Sequence, residues 1–286
     1  MARTKRVSID YMMEKKSRNE PIIRTCCYDF PMAQLAEEAG VEVILCGDSL
    51  ANVQLGYSST LPCQFEVLLE HTKAVRKGAP NTFLIADMPY MTYQPSIEEA
   101  VRKAGRYMAE ADADCVKLEG GLEVVPVIRA LVDAGIPVWG HTGLTPQTVK
   151  MLGGYKTQGR GADVAYKLVK TVQGLAEAGC FAITAEAIPV ELGKVLYENA
   201  QDYLMFSIGC GHWTDGPIIN MYDMLGFYDR VPRFAKKYAD IHHYILSAVE
   251  TYVKECTDRT FPAPEHCYYM KEGEADKLME MLQADR

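Results

Sequence analysis

One unit recurs along this chain and restricts its fold more than any other feature. A helical stretch ends on glycine or a small residue, and a short apolar strand follows. Residues 36–40 lead into 41–47, 109–113 into 114–119, 132–135 into 136–141, and 176–179 into 180–186. Each pair reads as a helix end followed by a buried strand. Strands separated by helices cannot pair as hairpins, so they are expected to lie parallel, joined by helical crossovers.

Segments 22–27, 82–87, 203–208 and 218–221 extend the series to about eight strands, the number that closes a (βα)₈ (TIM) barrel. Two helix starts are well signalled. Ser96 with Glu99 forms a capping box, and Thr145-Pro146 reads as an N-cap followed by proline at the first helical position. No linker or low-complexity stretch divides the sequence. The expectation is one barrel domain over 1–286, with an N-terminal extension (about 1–20) and terminal helices and a tail (about 233–286).

The net charge of -8 argues against a nucleic-acid or anionic-membrane partner. Nine cysteines without a C-x-x-C pair argue against structural zinc and fit the reducing cytoplasm. The opening residues carry positive charge with no apolar run behind them, so no signal peptide is expected.

Strand after strand ends in an ionisable residue: Asp48, Asp87, Lys117 with Glu119, His141, Glu186. In a (βα)₈ barrel the C-terminal strand ends meet at one face, so these groups are expected to share a pocket. Asp48, Asp87 and a third carboxylate suit a hard divalent cation such as Mg²⁺; capping of the following helices is the alternative. Lys117 and Glu119 share one strand face, as a structural ion pair or as an anchor for a substrate carboxylate. Glu186 closes an apolar strand as a candidate general base or a helix cap. His141 is a secondary candidate, more often a hydrogen-bonding core residue. His212, beside Trp213, is a candidate loop contact, and Asp215-Gly216 reads as a turn before the last strand.

Several longer motifs occur in order: Gly47-Asp48-Ser49-Leu50, Ala86-Asp87-Met88-Pro89, Val116-Lys117-Leu118-Glu119-Gly120-Gly121, Gly140-His141-Thr142-Gly143-Leu144-Thr145-Pro146-Gln147 and Gly153-Gly154-Tyr155-Lys156. Together they resemble the ketopantoate hydroxymethyltransferase family, from about residue 22 to 268. The resemblance implies a barrel of the phosphoenolpyruvate mutase/isocitrate lyase type. It implies transfer of a one-carbon unit from 5,10-methylenetetrahydrofolate to 3-methyl-2-oxobutanoate, a step of pantothenate synthesis, and a homo-oligomer, commonly a decamer. It assigns Asp48 and Asp87 to Mg²⁺, Glu119 to a water-mediated metal contact, Ser49 and Lys117 to substrate, and Glu186 to proton abstraction. The sequence departs from the family pattern at Ala51, at Ala185 and Ala187 around the base, at His212, Trp213 and Pro217, and at Tyr222. Loops after the later strands are the expected wall for a folate, so the departures at His212, Trp213 and Pro217 bear on the donor. Two rivals share the metal half of the site: a paralogue acting on another 2-keto acid, and a lyase of the same superfamily.

Overall fold

The computed structural model describes residues 4–285. In chain order the regular elements are α1 Ile9–Ser17, β1 Arg24–Cys26, α2 Phe30–Glu38, β2 Val43–Cys46, α3 Leu50–Val53, α4 Phe65–Gly78, β3 Phe83–Asp87, α5 Ile97–Ala111, β4 Cys115–Glu119, α6 Val125–Asp133 and β5 Val138–Gly143. They continue with α7 Ala162–Glu177, β6 Ala182–Glu186, α8 Val190–Glu198, β7 Leu204–Ile208, β8 Gly216–Asn220, α9 Met221–Leu225, α10 Ile241–Thr257 and α11 Glu274–Ala284. The eight strands form a closed barrel in sequence order. Every pairing is parallel, including the seam at which Arg24, Thr25 and Cys26 meet Ile218, Ile219 and Asn220 of β8.

The helices form where the pattern places them. On α5 the apolar stripe Ala100, Ala104, Tyr107 and Ala111 is buried, and the Ser96 hydroxyl accepts the N–H of Glu99, so the serine half of the expected capping box is present. The expected helix at Thr145-Pro146 is a single 3₁₀ turn, Pro146–Thr148. Strand alternation sorts the core into two layers. Val116, Leu118, Ile183 and Ala185 pack outward beneath the helices, while Cys115, Trp139, Ala182 and Phe206 fill the interior. Trp139 stacks on Phe206 with centroids 4.4 Å apart, and the Arg24 guanidinium lies 4.4 Å from the Phe206 centroid. Thr184 Oγ1 accepts from both Trp139 Nε1 (2.8 Å) and Arg24 (3.1 Å). Burial pushes Arg24 down to about 9.

Six connections carry a long crossover helix, but β7 runs to β8 through residues 209–215 with none. This segment descends the barrel flank to the strand starts. Asp215 N donates to Met205 O (2.8 Å), Asp215 O accepts from Ile22 N (2.7 Å), and Lys16 Nζ pairs with the Asp215 carboxylate (2.8 Å). A side chain at Gly216 would place its Cβ 2.1 Å from Ile22 O, so only glycine fits the turn that starts β8.

The chain divides into two compact units, Met1–Ala239 and Asp240–Arg286. Residues 233–240 form no helix before α10. On α10, Tyr244, Ile245, Leu246, Val249, Tyr252 and Val253 are all exposed. All nine cysteines are unpaired, seven of them buried. Among the described residues no helix is long and apolar enough to cross a membrane.

Candidate active site

The strand-end residues singled out by the sequence converge, and they do so in strand order. Asp48 follows β2, Asp87 ends β3, Lys117 and Glu119 lie on β4, His141 on β5, and Glu186 ends β6. Pairing places Asp87 opposite Lys117 and Glu119 opposite His141. The contacts form one row. The Asp48 amide donates to Asp87 Oδ2 (2.9 Å), and Lys117 Nζ lies 2.8 Å from Asp87 Oδ1 and 3.2 Å from Glu119 Oε1. His141 Nδ1 lies 3.5 Å from Glu119 Oε1, and its Nε2 lies 3.1 Å from Glu186 Oε2. Neither ring nitrogen makes an aligned hydrogen bond within the chain. All six side chains are buried, Glu186 the least at 8% exposure.

This geometry answers the alternatives the sequence left open. Neither aspartate caps a helix: the Asp48 carboxylate is held by Gln147, and Asp87 accepts from the Asp48 backbone. Glu186 does not cap α8, which begins after Pro189 with no side-chain cap. Ser49 begins α3, where its hydroxyl meets Tyr28 OH at 2.8 Å. Ala187, directly after Glu186, has φ 49°, a left-handed conformation that costs a non-glycine residue about 1 kcal/mol. Its N–H donates to Ile208 O and its carbonyl accepts from Gln158 N, so both backbone groups of this strained residue are used.

Three buried carboxylates share one lysine. Burial, then the charges of Asp87 and Glu119, pushes Asp48 well above the usual carboxylate range. Burial raises Asp87 as well, although Lys117 opposes it. Burial would also raise Glu119, but Lys117, His141 and the Gln147 amide outweigh it and hold Glu119 low. Burial disfavours the Lys117 ammonium, yet Asp87, Glu119 and Asp48 outweigh that and keep it firmly protonated. Such an excess of buried negative charge fits a divalent cation. Asp87 Oδ1 has no aligned hydrogen bond, although Lys117 Nζ lies 2.8 Å away, and Glu119 Oε2 is held by the Gln147 amide (3.1 Å). Among the described residues no three His, Cys, Asp or Glu side chains form a ready-made cage. Two aspartates with the remaining positions left to water and substrate oxygens are the sparse set that Mg²⁺ prefers.

The model of the family described as ketopantoate hydroxymethyltransferase matches residues 6–264. The chain belongs to this family. A Geobacillus sp. (strain WCH70) member, 3-methyl-2-oxobutanoate hydroxymethyltransferase, is 48% identical over 260 residues, covering 91% of this chain and 93% of that relative. A member of the same name from Alkaliphilus metalliredigens (strain QYMF) is 46% identical, covering 96% of this chain and 98% of its own. Among solved structures, phosphonopyruvate hydrolase in complex with oxalate and Mg²⁺ superposes with a TM-score of 0.60 at 13% identity, over 97% of this chain and 98% of that one. The 2,3-dimethylmalate lyase of the phosphoenolpyruvate mutase/isocitrate lyase superfamily gives 0.57 at 14% identity, over 97% of each chain. The barrel is therefore of that superfamily's type.

As a hydroxymethyltransferase-family barrel, the chain departs from one expectation about its mouth. Trp213 lies on the flank, its ring 6.5 Å from that of Tyr197 with Lys194 Nζ 4.8 Å away, and it shares a surface hollow with Asn19, Pro21 and Asp215. His212 lies beside it, 5.0 Å between ring centroids, and Pro217 stands at the start of β8. With no crossover helix, the β7–β8 segment runs down the flank and carries His212 and Trp213 away from the strand-end row, whereas Pro217 lines a cavity with Ala187, Gly209 and Gly211. Two groups that sequence reasoning passed over do belong to the site. Gln147 links Asp48 to Glu119, and Tyr28 joins Ser49 to Asn220 at the end of β8. Gln147 lay inside a quoted motif, but a glutamine in a turn carries no chemical signal of its own.

Proposed function

We propose that this chain is a 3-methyl-2-oxobutanoate hydroxymethyltransferase. It joins a one-carbon unit from 5,10-methylenetetrahydrofolate to C3 of the 2-keto acid, giving 2-dehydropantoate. The observation that carries the reading is the unbroken row of contacts from Asp48 to Glu186. The row pairs a site for a chelating acceptor with a carboxylate placed to remove its proton.

Lys117 and Ser49 recognise the acceptor's carboxylate, the first as a fixed cation, the second as a neutral donor. Asp48 and Asp87 would hold Mg²⁺, with Glu119 reaching it through water; when bound, that ion withdraws charge from the acceptor's keto and carboxylate oxygens. Glu186 takes the C3 proton. His141 stands between Glu119 and Glu186, its Nε2 3.1 Å from Glu186 Oε2. The C3 carbanion then bonds to the donor's methylene carbon, whose bonds to N5 and N10 of the folate break; water supplies the hydroxyl, and the C3 proton and the remaining water proton go to the two nitrogens as tetrahydrofolate leaves. The unpaired cysteines support a cytoplasmic setting. The exposed apolar residues of α10 support assembly into a homo-oligomer, a decamer by family resemblance.

Proton NMR in D₂O tests the core of this reading. With Mg²⁺, the enzyme exchanges the C3 proton of 3-methyl-2-oxobutanoate, and methylenetetrahydrofolate converts the acceptor to product. Glu186→Gln slows exchange by about 10²–10⁴. Exchange without folate-dependent product keeps the proton abstraction and removes the transferase; wild-type exchange by Glu186→Gln removes this base.

A further inference from the structure

We infer that Gln147 is a positioning residue that aims the Asp48 carboxylate at the metal. The inference rests on the metal reading above. Gln147 is 3% exposed and sits in the 3₁₀ turn after β5, where proline at its start holds the backbone in place. From there it ties three strand ends together. Its backbone N–H donates to Glu119 Oε2 at the end of β4 (3.1 Å), and its side-chain Nε2 donates to Asp48 Oδ2 after β2 (3.0 Å) and to Met88 O after β3 (3.0 Å).

The direction of the amide is fixed from both sides. Nε2 faces two groups that only accept, a carboxylate and a carbonyl. Oε1 faces the Tyr93 hydroxyl at 2.8 Å and Gln94 Nε2 at 3.3 Å. Turning the amide over would set Oε1 against Asp48 Oδ2 and Met88 O, two repulsive contacts in a buried place. The consequence falls on Asp48. One of its oxygens is held by a donor that cannot rotate away, which fixes the carboxylate plane. Glu119, the second carboxylate on this glutamine, is held by the backbone and is insensitive to the side chain.

The test is direct binding of Mn²⁺, followed by the paramagnetic signal of the free ion, to wild type, Gln147→Met and Tyr93→Phe. Gln147→Met keeps the volume and loses both donors. We expect its Mn²⁺ dissociation constant to rise about 10–100-fold, the usual cost of losing an outer-shell partner. Tyr93→Phe removes the hydroxyl that orients the amide, and shifts affinity the same way by a smaller factor. At saturating metal, kcat for C3 proton exchange falls much less than the affinity does, a split that loss of packing alone does not produce. If both variants bind Mn²⁺ like wild type, the inference is wrong while the metal reading stands. If wild type binds no Mn²⁺, the metal reading fails and takes the inference with it. Should Gln147→Met not fold, Tyr93→Phe decides by the same measurement.

Discussion

Lys117→Met is the sharpest probe of the charge balance in the barrel. The ammonium is 4% exposed and stands 2.8 Å from Asp87 and 3.2 Å from Glu119. Methionine keeps the stem and removes the only lysine among three buried carboxylates. Breaking a buried pair from one side costs about 3–5 kcal/mol, because the remaining charge stays uncompensated. In a chain of this size that lowers Tm by about 6–20 °C. The loss depends on pH with a definite sign. Without Lys117, Asp87 and Glu119 titrate above their unfolded values, so the folded state holds more protons than the unfolded chain. Stability then falls as pH rises through that window. The deficit against wild type is small near pH 5 and fully developed near pH 8. Divalent metal returns positive charge to the cluster and recovers part of the loss. The assay is scanning calorimetry of both proteins in chelator and in Mg²⁺ at the two pH values. A variant that melts within about 2 °C of wild type near pH 8 in chelator refutes the reasoning, since the carboxylates would then be compensated by water.

Asp48→Asn should behave in the opposite sense. Burial and its acidic neighbours raise the Asp48 pKa, so wild type loses stability as pH climbs past the ordinary carboxylate value, and the asparagine variant, which keeps only the raised Asp87, loses less. In chelator the variant should melt at or above wild type near pH 8 while binding Mn²⁺ at least about tenfold more weakly; equal metal affinity would remove Asp48 from the ligand set. Trp213→Ala should lower stability by about 1–2 kcal/mol through lost flank packing and leave the KM for methylenetetrahydrofolate within about twofold. A tenfold rise would return Trp213 to the donor site.

The strands were readable because burial on both faces makes each a continuous apolar run, and because the polar residue that ends the run is also the functional one. Thus Phe83–Asp87 and Ala182–Glu186 end where their sequences place them and start within one and two residues of it. Shorter strands were over-read: β1 spans only Arg24–Cys26, although Ile22 and Ile23 before it still make backbone hydrogen bonds to Asp215 and Glu42. The β7–β8 link was misjudged for a physical reason. His212 and Trp213 follow a late strand, but nothing in their composition reveals that the chain turns down the flank. Local sequence encodes where a strand ends, not where the connection goes next. Gln147 was missed similarly, because its value lies in what four distant segments present to it.

The seam between β1 and β8 sets the order in which the barrel can be completed. Joining them closes about two thirds of the chain into a loop, as the 194-residue separation of Thr25 from its acceptor Ile219 O makes plain, whereas β7 and β8 need only a short link. Loop-closure entropy therefore places the seam among the latest contacts and the β7–β8 pair among the cheapest. Every member of the Asp48–Glu186 row lies on the early side of that event. Tyr28, which touches Ser49, receives its bond from Asn220 only across the closed seam. A folding chain thus holds its acid–base groups together before the Ser49 side of the pocket has a finished wall, and catalytic competence marks the final ring closure rather than the collapse of the core.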